Sequence, residues 1–151
     1  LIKLREEIKS HIDDDPGLRQ QKDLLLSIPG TGEKTLATLL AYFSSIDRFD
    51  NAKKLASLCG VAPRQRESGT SVKGRGAMSK IGSSHLRKSL FFPAMVALRH
   101  NPALKQLRDR LTKRGKPKMV IVGAAMRKRI HIIYGVLKTR TPFDENLVIK
   151  A

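Results

Sequence analysis

Three serines sit among cations between residues 62 and 82, where Ser68, Ser71 and Ser79 are interleaved with Arg64, Arg66, Lys73, Arg75 and Lys80. A serine hydroxyl in such company is a candidate nucleophile for a phosphodiester, because guanidinium groups stabilise the extra negative charge of a phosphoryl transition state. The same residue types also make ordinary turns and neutral phosphate donors, so the residues alone leave open whether any of these serines reacts. Arg87 and Lys88 follow near the start of the next helical stretch and extend the cationic surface.

A second cluster precedes this one. Leu24 to Thr35, with Ile28-Pro29-Gly30-Thr31-Gly32 at its centre, has the form of a helix-hairpin-helix motif. Gly30 and Gly32 let the backbone turn sharply and approach a phosphate without a Cβ in the way. Amides at the start of the following helix then point at the anion, helped by the helix dipole, and Lys34 adds a charge. Such a motif holds nucleic acid by its backbone and reads no sequence. A plain helical turn with the same glycines is the competing reading, and the Gly-Lys-Ser/Thr spacing of a P-loop is absent.

The charge of the chain is concentrated around these residues. From Arg64 to Arg129 there are 18 Lys/Arg against Glu67 and Asp109, whereas residues 1–63 balance nine against nine. A block of that density calls for a polyanion, and nucleic acid is the leading partner. Aromatic residues make up only 5% and Trp is absent, which disfavours recognition by stacking single-stranded bases on an aromatic platform.

The elements that must position these residues are helical. Leu1, Leu4, Ile8 and Ile12 recur as an amphipathic helix or the end of a coiled coil, interrupted at Asp13-Asp14-Asp15-Pro16-Gly17. That acidic triplet reads as turn and cap chemistry rather than a metal site. Helices are predicted over Leu18–Ser27 and Glu33–Phe43, and a short one from an Asp50 or Asn51 cap through Leu58. Residues 64–79 read as a loop. A helix from about Ser83 to His100 must be kinked or divided at Pro93, a further one starts at Asn101-Pro102, and a buried centrepiece spans Pro117 to Lys138. The expected fold is all-α, a compact helical domain behind an amphipathic helix.

Composition narrows the rest. With 40% apolar residues the chain builds a core, and its single cysteine, Cys59, excludes an internal disulfide or a Cys-based zinc finger and is expected in the core. No stretch of about 18 apolar residues is present, so no membrane partner is expected and the predicted location is the cytoplasm. The chain starts at Leu1 inside a helical pattern, which predicts a piece of a longer protein.

Three motifs in order carry a resemblance from about Leu24 to Lys138: the Ile-Pro-Gly-X-Gly hairpin, Gly-Val-Ala-Pro-Arg followed by Ser-Gly, and Ser-Lys-X-Gly-X-X-X-Leu-Arg from Ser79 to Arg87. Together they closely resemble the C-terminal half of the transposases of the insertion-sequence family numbered one hundred and ten, relatives of the Piv DNA invertases. The resemblance implies a bacterial DNA recombinase in two parts: an N-terminal RuvC-like domain whose acidic tetrad binds Mg²⁺, a helical spacer, and a C-terminal domain carrying a nucleophilic serine. On its motif that serine falls on Ser68, with Ser71 and Ser79 as alternatives. It implies a division into spacer end (1–17), DNA-binding and recombinase domain (18–140, with the hairpin at 24–43 and the serine loop at 62–82) and tail (141–151). Some members use a structured guide RNA, and a recombinase generally acts as a homo-oligomer. Thr31 departs from the apolar residue often found at its hairpin position. No Mg²⁺ site is expected within this chain, which should bind DNA without recombining it alone. The competing function is a non-catalytic helix-hairpin-helix module for DNA or RNA.

Overall fold

The computed structural model describes residues 2–64, 67–68, 72–73 and 77–150, with side chains over 2–64 and 77–147. Helices α1 (Ile2–Asp14) and α2 (Pro16–Leu26) break at Asp15, whose carboxylate accepts the Leu18 amide at 3.0 Å. Pro16 occupies the first helical position, where its missing N–H costs nothing, so α2 starts two residues before the predicted Leu18. The acidic triplet is engaged locally. Asp13 pairs with Lys22, and its carbonyl accepts from the Arg19 guanidinium. Of the predicted stripe on α1, Ile12 is buried while Leu4 and Ile8 are exposed, as is Ile2 outside that stripe.

Helix α3 (Glu33–Phe43) follows the turn at 27–32 with its predicted bounds, burying Leu36, Leu39, Leu40 and Phe43. A short 3₁₀ helix (Ile46–Arg48) leads to α4 (Ala52–Leu58), capped by the Asn51 side chain on the Lys54 amide at 3.0 Å. Cys59 closes α4 in the core, where burial pushes its thiol up to about 12.

The stretch expected as a loop departs from that reading. β1 (Pro63–Arg64) pairs antiparallel with β4 (Ala77–Met78), and β2 (Glu67–Ser68) with β3 (Val72–Lys73). Strands of two residues leave no alternating apolar pattern for a sequence to display, which is why the ribbon was not legible.

Helix α5 (Ser84–His100) continues through Pro93 rather than dividing, although the Ser89 carbonyl loses its amide partner there. Asn101, fully buried, ends α5 with its amide on the Ala97 carbonyl and starts α6 (Pro102–Lys113) with its side chain on the Ala103 amide. Helix α7 (Lys118–Thr139) is the expected centrepiece, packing against α2, α4, α5, α6 and the 3₁₀ helix. Its stripe of Ile121, Val122, Ala125, Met126, Ile130, Ile133, Val136 and Leu137 lies in the core, where truncating one large aliphatic side chain costs about 2–5 kcal/mol. The C-terminal stretch holds α8 (Glu145–Lys150), and the Phe143 amide donates to Ser27 Oγ at 2.8 Å. Apart from the ribbon the described chain is all-α, and none of its described helices is long and apolar enough to cross a membrane.

Candidate nucleic-acid interface

The turn between α2 and α3 is built on a left-handed glycine. Gly30 has φ +85°, and a Cβ there would lie 3.3 Å from the Arg129 guanidinium and 3.4 Å from Ala97. Gly32 differs, with φ −99° and open space around it. As N-cap of α3 it offers no side-chain oxygen, so the first-turn amides lack a side-chain partner at an exposed, electropositive helix end. Lys34 is exposed beside them, as is Glu33.

Arg129 holds this turn from α7. Its Nη1 donates to the Pro29 carbonyl at 3.1 Å and its Nη2 to Thr31 Oγ1 at 2.7 Å, and the side chain is fully buried without a carboxylate. Desolvation lowers its pKa to about 10, still well above neutrality. Thr31 is therefore the acceptor for a buried cation, which accounts for a hydroxyl where the motif often has an apolar residue. In the sequence Arg129 is simply the last cation of the basic block from Arg64 to Arg129. Its spacing held the signal. Position 129 lies three residues after Met126 and four before Ile133, on the buried face of α7.

The base of the ribbon is fixed by another glycine pair. Gly82 has φ +133°, and a Cβ there would fall 2.5 Å from the Leu58 carbonyl oxygen and 2.7 Å from the Gly60 amide nitrogen. The Ser83 amide donates to that Leu58 carbonyl at 2.8 Å, and Ser83 Oγ caps α5 by accepting from the Leu86 amide at 3.2 Å. Arg87 reaches back to the Lys80 carbonyl at 3.3 Å, lying where a Cβ on Gly60 would clash. The Ser-Lys-X-Gly-X-X-X-Leu-Arg motif thus has a structural explanation in large part: it docks the ribbon onto the end of α4 and starts α5.

The expected site residues separate accordingly. Arg64, Lys80 and Lys88 are exposed, and Arg87 is half-buried. Ser79 is half-buried just after β4, its amide donating to the Ala62 carbonyl at 2.7 Å. Ser68 lies in β2 with Val72 as its Cα partner, and Lys73 in β3 opposite Glu67. The side chains of Ser68 and Lys73, and Arg66, Ser71 and Arg75 altogether, lie outside the described residues. The hairpin turn and the ribbon base are not adjacent. The turn packs against Ala97 late in α5 and the ribbon base precedes Ser84, an axial separation of about 20 Å at the α-helical rise.

Among the described residues, Arg108, paired with Asp109 at 2.9 Å, is the one cation of the block with a carboxylate partner. Arg129, buried against the turn, aside, the rest of the described charge in the block has no carboxylate partner. Among the described residues, no three or more His, Cys, Asp or Glu side chains are grouped so as to hold a metal ion.

Residues 22–109 match the family described as Transposase IS116/IS110/IS902 family. Over 148 residues, 97% of the chain, it is 36% identical to the pilin gene-inverting proteins of Moraxella lacunata and Moraxella bovis, covering 46% of each. It is 32% identical over 124 residues, 82% of the chain and 30% of the relative, to the insertion element IS110 uncharacterized 43.6 kDa protein of Streptomyces coelicolor. The chain spans about half the length of the pilin gene-inverting proteins, and less of the IS110 protein.

Proposed function

This chain belongs to the Transposase IS116/IS110/IS902 family, and we propose that it is the DNA-holding, serine-bearing C-terminal part of a recombinase that mobilises an insertion sequence. The observation that carries the reading is the exposed cationic surface of Arg64, Lys80 and Lys88 around the ribbon base, in a block with almost no acidic counter-charge. The uncapped start of α3, with Gly32 and Lys34, adds a second phosphate contact, and the two are separated along α5. Backbone contacts carry no sequence information, so choice of target falls to another part of the recombinase or to a structured guide RNA.

Ser68 is the proposed nucleophile, with Arg64 and Arg66 stabilising charge on the phosphate. Its Oγ loses a proton to solvent and bonds to phosphorus as the bond to one deoxyribose oxygen breaks and that oxygen is protonated. Attack by a deoxyribose hydroxyl on the phosphoserine later frees the serine. Mg²⁺ belongs in the proposed RuvC-like remainder, whose acidic tetrad would hold it to supply charge stabilisation at the phosphate. The exposed Ile2, Leu4 and Ile8 of α1 are the proposed contact with a second copy in the oligomer.

The test is recombination by the full-length protein, wild type against Ser68→Ala, with DNA affinity and covalent protein–DNA adduct measured in parallel. Loss of product and adduct at unchanged affinity is expected. Unchanged product sinks the serine assignment and leaves a non-catalytic DNA clamp.

A further inference from the structure

A groove of about 690 Å³ runs between the ribbon base and helices α6 and α7. That volume lies within the ~300–1,000 Å³ common for small-ligand sites. Its walls are apolar, with Met78 on the ribbon side and Met119 on α7, and its far end carries Arg127, Lys128 and His131. Gly123 keeps it open, since a Cβ there would come within 2.8 Å of Met78 Cε. Among the described residues, no carboxylate lines it.

Among the described residues, Arg127 Nε and His131 Nε2 are shielded from solvent and have no hydrogen-bond partner. Burial, then the charges of Arg127, Lys128 and Lys53, lowers the pKa of His131, which keeps the imidazole neutral near pH 7. The groove therefore combines an apolar slot with two cations at one end. A purely apolar helix laid in the slot would leave the cations uncompensated. A bare anion would leave the apolar walls uncovered. A nucleotide fits both halves, with apolar base faces against the two thioethers and a phosphate for the cations.

We propose that this groove seats one unpaired nucleobase of a DNA strand lying beside the ribbon, with Arg127 and Lys128 on its phosphate. Its location supports this occupant: Pro63 and Met78, which line the groove, are Cα partners at the ribbon base, each adjoining a residue of the candidate interface, Arg64 and Ser79. The base must leave the duplex stack, which is easiest where it has no pairing partner. This occupant presupposes the DNA contact proposed above.

The full-length protein is titrated with two duplexes of equal length and phosphate number, one with 2-aminopurine opposite thymine, the other with it opposite an abasic site. Wild type is expected to bind the second about tenfold more tightly, the scale of one well-seated base, with a change in 2-aminopurine fluorescence. Gly123→Leu fills the slot, and Met119→Asp places a like charge for phosphate at an exposed position that the fold does not need. Both are expected to cut the preference to about twofold or less while paired-duplex binding persists. Equal wild-type affinity for the two duplexes, or a preference that survives both substitutions, overturns the base site and leaves the groove to a protein segment. Failure to bind either duplex overturns the DNA reading itself, and the base site with it.

Discussion

Arg129 and Thr31, 98 positions apart, meet at 2.7 Å in the interior, where the guanidinium donates to the threonine hydroxyl. A buried cation without a carboxylate depends on neutral acceptors, and here those are Thr31 and the Pro29 carbonyl of the same turn. Thr31→Val removes one acceptor from a charged donor and is expected to destabilise by about 2 kcal/mol. Arg129→Met in the same chain removes the stranded charge, so the double substitution should cost less than the sum of the singles. Urea unfolding of the four proteins checks this. Additive losses would mean that the two residues are not coupled.

The glycines divide into structural and functional ones. Gly82→Ala meets two carbonyls and an amide at a positive φ, and should cost more than about 2 kcal/mol. Gly32→Ala meets nothing within 4 Å at an ordinary φ, and should change stability by less than about 1 kcal/mol. If the start of α3 approaches a phosphate, Gly32→Ala nonetheless weakens DNA binding. Thermal melting beside fluorescence anisotropy separates the two effects, and full affinity in a stable Gly32→Ala protein would remove Gly32 from the interface.

Lys34, Lys80 and Lys88 are exposed, and replacing each by Gln should lower the slope of log K against log salt by about 1. Arg87→Gln should behave differently, losing about 1 kcal/mol of stability because its guanidinium holds the Lys80 carbonyl. A slope change without any loss on melting would instead make Arg87 a direct phosphate contact.

Much of this was readable before folding. Asn101-Pro102 marked the α5 to α6 junction, and the bounds of α3 followed from its apolar stripe, because caps and periodicity act locally. Arg129 was not recognised because its identity says surface while only its phase on α7 says interior. The glycines at 60 and 82 serve a close approach of distant backbone segments, which no local pattern encodes. Ser68 came from resemblance, since a serine among arginines has no physical mark distinguishing it from its neighbours.

Cys59 makes an alkaline prediction. Its thiol, at about 12 in the folded chain against an ordinary 9.0, stays protonated while the unfolded chain releases its proton. The stability it contributes is complete below pH 9 and is lost as pH rises towards 12, by up to about 1.4 kcal/mol per pH unit. Arg129, lowered to about 10, acts in the opposite sense above that pH. Its contribution is common to wild type and Cys59→Ala, so it cancels in their difference. That difference, measured by urea unfolding at pH 8 and pH 10, should shift by about 1.4 kcal/mol against wild type. A constant difference would mean that the thiol ionises alike in both states.

Helix α7 acts as an axle. Arg127 and Lys128 look into the groove beside the ribbon, and their neighbour Arg129 grips the hairpin turn, so consecutive residues set the angular phase between two regions. One residue inserted between Lys128 and Arg129 turns everything beyond it by about 100° and shifts it 1.5 Å along the axis. No exchange of side chains undoes a rotation, so this stretch of chain should tolerate many replacements at its exposed positions and scarcely any change of length.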